Sequence, residues 1–115
     1  MESVIVVKSK QFAIDVVRLY KFLISEQKEY VLSKQLLKSG TSIGANINEA
    51  EYGQTKADFA AKMNIALKEA NETRYWLELL YESEYIPKDV FDKFYNNCLE
   101  LIKILTSIVK HSYEK

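Results

Sequence analysis

The amino-acid sequence predicts an all-α protein, an antiparallel up-down-up-down four-helix bundle. Apolar residues recur at helical spacing through four long segments, and no segment shows the period of two that is typical of a strand. With three glycines and one proline among 115 residues, the chain favours long elements joined by short connections. Short connections between long amphipathic helices make neighbouring helices antiparallel. We therefore expect residues 1–115 to form a single domain of four helices.

The first two predicted helices cover about residues 9–27 and 30–52. The second is expected to end at Gly53, because glycine is favoured just past a helix end. The buried face of the first helix comprises Phe12, Val16, Val17, Tyr20, Leu23 and Ile24. The apolar arc of the second comprises Leu32, Leu36, Gly40, Ile43, Ile47 and Ala50.

The third and fourth predicted helices cover about residues 55–82 and 87–112. The segment from Thr55 to Asp58 resembles a capping box at the start of the third helix. Pro87 suits the first turn of the fourth, since a proline there loses no hydrogen bond that the helix needs. The buried face of the third helix comprises Phe59, Met63, Ala66, Ala70, Thr73, Leu77 and Leu80. That of the fourth comprises Phe91, Phe94, Cys98, Leu101, Leu105 and Ile108.

Small and polar residues lie directly beside the apolar arc of the second helix. Glycine in a helix interior costs about 1 kcal/mol relative to alanine, so Gly40 and Gly44 indicate close approach of another helix. Asn46 and Glu49 are expected to form hydrogen bonds across a helix pair, because an unpartnered buried polar group costs about 1–3 kcal/mol. The predicted polar seam, where small and hydrogen-bonding residues meet a neighbouring helix, consists of Ser39, Gly40, Ser42, Gly44, Asn46 and Glu49.

Charge is unevenly distributed along a chain whose formal net charge is zero. Residues 1–40 hold seven basic and four acidic residues, whereas residues 49–92 hold five basic and ten acidic residues. A neutral chain lacks the strong basic field of a typical nucleic-acid binder, but it can still present a local patch. Ordinary solvated charges are one interpretation of the first helix. The other is a basic face, within an arc of about 80 degrees, that binds a phosphate backbone or an acidic protein surface. The candidate nucleic-acid contacts are Lys10, Arg18, Lys21 and Lys28.

The third helix carries a second stripe beside its buried face. Large apolar residues mixed with carboxylates suggest a further buried contact, either a subunit interface or coverage of Trp76 by the twist of the bundle itself. A basic first helix and an acidic third helix would suit head-to-tail contact between identical chains, which can close into a ring. The candidate subunit interface consists of Ile65, Glu69, Glu72, Trp76 and Leu79.

No catalytic, cofactor-binding or metal-binding residue is predicted. A di-iron bundle needs Glu-x-x-His pairs, whereas the only histidine is His111. The stretch from Gly40 to Gly44 has neither the following Gly-Lys-Ser/Thr nor the preceding strand of a phosphate-binding loop. We therefore expect a protein without enzymatic activity, cofactor or small-molecule substrate.

Cysteine content and hydropathy favour a cytoplasmic location without membrane contact. Cys98 is the single cysteine, so an intramolecular disulfide is impossible and a reducing compartment is expected. On the apolar face of the fourth helix, Cys98 is better explained as a small buried hydrophobe than as a reactive thiol. The apolar run from Val4 to Val7 is too short for a signal-peptide core, and the longest uncharged stretch, residues 39–48, is about half of a membrane span.

Residues 34–80 closely resemble the signature of a bacterial family of four-helix bundles, the 23S rRNA intervening-sequence proteins. The runs SGTSIGAN at residues 39–46 and ALKEA at residues 66–70 carry the resemblance, which extends over about residues 12–109. It implies a cytoplasmic homopentameric ring without catalytic residues. A related branch, the accessory variability determinant of diversity-generating retroelements, implies nucleic-acid binding beside a reverse transcriptase; that branch is strongly basic and this chain is neutral.

Two functions from different classes follow. The first is a non-enzymatic, oligomeric accessory scaffold that binds RNA or DNA through repeated basic faces. The second is a protein-interaction or structural ring module without nucleic-acid affinity, which the neutral charge and the acidic third helix favour.

Overall fold

The computed structural model describes residues 3–113 and shows four helices: α1 (Val4–Ser25), α2 (Leu32–Glu51), α3 (Lys56–Glu82) and α4 (Lys88–Ser112). Loops of four to six residues join them, and the described residues contain no strand. Each helix packs against the next one along the chain, in a particle of 47 × 25 × 20 Å. The predicted all-α four-helix bundle is confirmed.

The first and last helices, α1 and α4, contact each other less extensively than the other neighbouring pairs do. Across this pair, Lys8 Nζ lies 3.2 Å from Glu100 Oε1. Phe12 and Phe94 meet edge to face, with ring centroids 6.1 Å apart. An ion pair near solvent and one aromatic contact therefore help to close the bundle.

Helix α1 begins at Val4, five residues before the predicted start. The Ser3 hydroxyl accepts a hydrogen bond from the Val6 amide over 3.4 Å and caps the helix. Ile5 is buried. The predicted start at residue 9 is wrong because the apolar run at residues 4–7 extends the buried face of α1 by Ile5.

Helix α2 begins at Leu32 instead of residue 30, and the Glu29 carboxylate caps it. One carboxylate oxygen accepts from the amides of Val31 (3.1 Å) and Leu32 (2.9 Å). The other accepts from the Ser33 amide over 2.7 Å. Burial raises the pKa of Glu29, but these hydrogen bonds outweigh burial and the pKa is lowered overall. The loop turns immediately before this cap, because Lys28 adopts a left-handed backbone conformation with φ of 53°.

The remaining helix ends follow the predicted signals. The Thr55 hydroxyl accepts from the Asp58 amide over 3.0 Å and caps α3. The Gly53 amide donates to the Ala50 carbonyl oxygen over 3.0 Å, just beyond the end of α2. Pro87 takes the N-cap position of α4, so the helix starts one residue later than predicted.

The core lies where the apolar periodicity places it, with differences that follow the twist and the ends of the helices. The middle of each predicted buried face is fully buried, as at Val16, Ile43, Leu77 and Leu105. Predicted core residues that are only half-buried are Val17, Tyr20, Ile24, Leu32, Phe59, Phe91 and Ile108. Apolar residues buried outside the predicted faces are Ile5, Leu19, Ala60 and Ile86.

The two helical glycines of α2 admit α1 at close range. A Cβ atom on Gly40 would lie 2.9 Å from both γ-methyl carbons of Val16, which is completely buried and stiff because its side chain is β-branched. A Cβ atom on Gly44 would lie 3.3 Å from the Ser9 carbonyl oxygen. The predicted role of both glycines in close helix packing is confirmed.

We expect Gly40→Ala to destabilise the protein by about 1 kcal/mol. Overpacking a buried site costs about 1–3 kcal/mol, which exceeds the gain of up to about 1 kcal/mol in helix propensity. Urea denaturation measures the free energy of unfolding. The double variant Gly40→Ala/Val16→Ala should lose less than the sum of the single losses, because removing the γ-methyl groups relieves the clash; simple additivity would contradict this account.

We expect Glu29→Gln to destabilise the protein by about 1 kcal/mol at pH 7, as loss of a helix N-cap does. The pKa of Glu29 is lowered from its usual 4.5 in the folded protein. Its stabilising effect is therefore complete above pH 4.5 and disappears as pH falls through the lowered pKa. Urea denaturation from pH 7 to pH 3 should show the variant and the wild type converging in acid. Glu26→Gln, at an exposed position three residues earlier, is the matched control and should leave the unfolding free energy unchanged.

Candidate functional site

The polar seam of α2 contacts α3 through a buried pair of hydroxyl groups. The Thr73 hydroxyl donates to the Ser39 hydroxyl oxygen over 2.9 Å and lies 2.8 Å from the Glu69 carbonyl oxygen. Ser39 and Thr73 are both completely buried. Because each polar group finds a partner there, the two helices can pack closely without leaving a hydroxyl unsatisfied.

Nearer the solvent, the residues of the polar seam form other contacts. Lys62 of α3 lies 3.0 Å from the Glu49 carboxylate, so Glu49 pairs across the two helices as predicted. Asn46 does not: its amide nitrogen donates to the Ser42 carbonyl oxygen of its own helix over 2.8 Å. The prediction of a cross-helix bond for Asn46 is wrong because this position is half-exposed, and a local backbone acceptor satisfies the side chain.

The antiparallel register of α2 and α3 joins two predicted sets of residues into one surface. Glu49 lies opposite Lys62, and Ser39 lies opposite Thr73. Between these pairs, the Ser42 hydroxyl donates to the Lys38 carbonyl oxygen of its own helix over 2.6 Å and lies near enough to the Glu69 carboxylate to lower its pKa. The outer edge of the polar seam therefore borders the stripe of α3 that the sequence proposes as a subunit interface.

Glu69 is the carboxylate of this stripe whose pKa is shifted by its surroundings. Burial raises its pKa, and repulsion from Glu72 raises it further, while Lys38, Lys68 and the Ser42 hydroxyl act in the opposite direction. The net pKa is raised. A carboxylate in this state is partly desolvated and incompletely compensated, and an additional cation beside it would be favourable.

Apolar side chains flank Glu69 along α3. Trp76 packs partly against the core, and its indole nitrogen donates to the Glu72 carboxylate over 3.1 Å. Tyr75 lies edge-to-face on Trp76 and is 53% exposed, while Ile65 is 41% exposed. Leu79 is half-buried. The bundle thus covers part of Trp76, and the stripe as a whole presents mixed apolar and acidic surface to solvent.

Three of the four predicted cations share the exposed face of α1. Lys10, Arg18 and Lys21 are exposed, and Arg18 lies 3.9 Å from the Asp15 carboxylate. Lys28 lies in the loop after α1, so its predicted place on the helix face is wrong. The helix ends at Ser25 and the loop turns away at the left-handed Lys28 backbone.

The exposed face of α1 also contains apolar residues that the sequence predictions leave out. Val7, Ile14 and Phe22 are 53%, 38% and 39% exposed. Counting at 100 degrees per residue places Val7 and Ile14 opposite the buried face, among the cations, and Phe22 about 40 degrees beyond Arg18. Each lies outside the buried stripe of a clearly amphipathic helix, and that departure from the pattern is the signal that could have identified them.

The interior holds no group arranged for catalysis among the residues that the structure describes. Cys98 is completely buried and donates from Sγ to the Ala70 carbonyl oxygen over 3.2 Å. Burial raises the pKa of its thiol to about 12, so Cys98 is inert packing material as predicted. Residues 3–113 contain no group of three or more His, Cys, Asp or Glu side chains that could hold a metal ion. Over the same residues, no helix is both long enough and apolar enough to cross a membrane.

Known proteins match this chain along almost its whole length. The model of the family described as 23S rRNA-intervening sequence protein matches residues 1–107. A crystal structure of a protein of unknown function from the S23 ribosomal protein family of Bacteroides thetaiotaomicron is 59% identical in sequence, with a TM-score of 0.92. The match covers 93% of this chain and 99% of that one. No curated protein matches this chain significantly in sequence.

Proposed function

This chain belongs to the 23S rRNA-intervening sequence protein family, and on that premise we propose that it is a non-enzymatic accessory scaffold that forms a homo-oligomer and associates with nucleic acid. The proposed setting is the bacterial cytoplasm. The oligomer is a ring of five copies, the number that the family resemblance implies. The α3 stripe (Ile65, Glu69, Glu72, Trp76 and Leu79) forms the subunit contact, and the α1 cations bind phosphate.

The exposed cations of α1 are the observation that carries the nucleic-acid proposal. Among residues 3–113, Lys10 and Lys21 have no ion-pair partner within 4 Å, and the contact of Arg18 with Asp15 is long. Three cations on one helix face can contact successive phosphates, although a single such patch binds weakly. A ring that repeats this patch compensates for the weak binding of each copy, because linked weak sites raise avidity well above the affinity of one site.

The proposal of a subunit contact rests on the composition of the α3 stripe. Exposed Ile65 and half-exposed Trp76 give it apolar area, and Glu69 lies beside them with a raised pKa. Burying this stripe against a neighbour that supplies a cation would remove apolar surface from water and compensate the carboxylate.

In a second candidate function, the exposed face of α1 and the α3 stripe bind each other. Val7 and Ile14 are exposed among the cations of α1 and Phe22 is exposed beside them, an arrangement more typical of a protein contact than of a phosphate contact. In this candidate, α1 of one copy packs on the acidic α3 stripe of the next copy. The result is a protein-interaction ring whose α1 cations are not free for nucleic acid.

We expect Ile65→Glu to dissociate the oligomer, because it places a third carboxylate in a stripe that already contains Glu69 and Glu72. Size-exclusion chromatography with light scattering should give five times the chain mass of 13.4 kDa for the wild type and one chain for the variant. Leu99→Glu on α4, where the side chain is 37% exposed, is the matched control and should leave the mass unchanged. Circular dichroism must show that both variants remain helical. An intact oligomer in the folded Ile65→Glu variant would contradict the assigned interface.

Ile14→Glu separates the two candidates within the same experiment. With its side chain 38% exposed, Ile14 matches Ile65 and Leu99 closely in environment. If α1 binds nucleic acid only, the Ile14→Glu variant keeps the mass of the wild type. If α1 packs on the next copy, this variant dissociates as Ile65→Glu does.

We expect Lys10→Glu/Arg18→Glu/Lys21→Glu to abolish nucleic-acid binding while the oligomer persists. Fluorescence anisotropy with structured RNA and single-stranded DNA, on nuclease-treated protein across a salt series, measures affinity and its salt dependence. Three phosphate contacts should give the wild-type protein a slope of log K against log salt of about −2 to −3 for each copy that engages the nucleic acid. The control variant Lys93→Glu/Lys103→Glu/Lys110→Glu changes the net charge equally at exposed sites on α4 and should bind as the wild type does. Equal losses in both variants would show that only net charge matters.

A further inference from the structure

A cleft opens at the end of the bundle where α3 begins and α4 ends. Its volume is about 490 Å³, which lies within the range of about 300–1,000 Å³ typical of sites for small organic ligands. It is separate from the α1 cations and from the α3 stripe. The residues that line it are Lys56, Phe59, Ser107, Ile108, His111 and Ser112.

The floor of this cleft is made of core positions that the bundle does not cover. Phe59 precedes buried Met63 by one turn on the buried face of α3, yet it is only half-buried. Ile108 follows buried Leu105 on the buried face of α4 and is also half-buried. Apolar periodicity predicts both residues for the core, and both instead line the same opening. Both side chains pack against the core on one side and leave apolar surface open to the cleft on the other.

One side of the rim is cationic. Lys56 is the first residue of α3, where the amides of the helix N-terminus add positive partial charge. On the other side, His111 Nδ1 lies 2.9 Å from the Ser107 carbonyl oxygen and, because a carbonyl oxygen can only accept, Nδ1 carries the proton of that hydrogen bond. Lys110 lies in the last turn of α4 and offsets the negative end of its dipole. None of the six lining residues is acidic.

We propose that this cleft binds a small amphipathic carboxylate. The alkyl or aryl body of the ligand covers Phe59 and Ile108, and its carboxylate lies beside the Lys56 ammonium. The apolar body removes half-exposed core surface from water. The carboxylate pairs with Lys56, and a charge-assisted hydrogen bond from the ammonium fixes its orientation. Such a ligand would be bound without being transformed, since His111 contacts the Ser107 carbonyl oxygen and the Ser112 hydroxyl donates to the Ile108 carbonyl oxygen, so neither hydroxyl of the lining is paired with the imidazole.

Decanoate and decanol test the proposal on the full-length wild-type protein. Amide chemical-shift perturbation in ¹⁵N-labelled protein gives both the affinity and the location of each ligand. Decanoate should shift the amides of residues 56–60 and 107–112, and decanol should bind at least about tenfold more weakly because it has no charge to pair with Lys56. Equal binding of the two ligands, or shifts confined to other residues, would overturn the proposal.

Two charge variants complete the test. Lys56→Gln removes the lysine of the rim and should weaken decanoate binding by about tenfold while leaving decanol binding unchanged. Lys103→Gln removes one exposed lysine from α4 outside the cleft lining and should leave the affinity for decanoate unchanged. Unchanged binding of decanoate to the first variant would show that the rim does not recognise the carboxylate.

Discussion

The bundle depends on two adjacent residues of α2, Ser39 and Gly40, through which this helix packs against α3 and α1. Gly40 gives α1 the room that the buried Val16 side chain requires. The residue before it, Ser39, bonds the Thr73 hydroxyl of α3. One turn of α2 thus fixes one helix pair by the absence of a side chain and another by a buried polar bond. These two contacts set the spacing of α2 from α1 and from α3. The core side chains between these helices must fit that spacing, because packed interiors tolerate little displacement.

This arrangement separates charge between two outward faces. With α2 held against both α1 and α3, the exposed side of α1 carries cations and the exposed side of α3 carries carboxylates. Within residues 3–113, no buried side-chain nitrogen or oxygen lacks a hydrogen-bond partner. Interior polar groups such as Ser39, Thr73 and Glu29 therefore stabilise packing and helix ends, and the features available for recognition lie on the surface and in the terminal cleft.

Apolar periodicity was sufficient to predict the four helices, the centre of each buried face and the packing role of the glycines. It could not predict how far each neighbouring helix extends, which is why Phe59 and Ile108 are open at the end of the bundle. Local backbone geometry was equally out of reach: the turn at Lys28 removes this cation from the α1 face, and Glu29 replaces the usual Ser, Thr or Asp cap of α2. The residues of the candidate site were identifiable from the sequence. The antiparallel register of α2 and α3, which brings the polar seam beside the α3 stripe, required the structure.

The modest contact between α1 and α4 has a consequence for how the chain folds. Most tertiary contacts join helices that are adjacent in sequence, so the contact order is low and a domain of this kind folds in microseconds to milliseconds. Helical hairpins can form one after another, and the pair of Lys8 with Glu100 connects the chain's two ends only at the close. The same seam is the natural place for a local opening of the native protein, in which α1 and α4 part while α1 stays packed on α2 and α4 stays packed on α3.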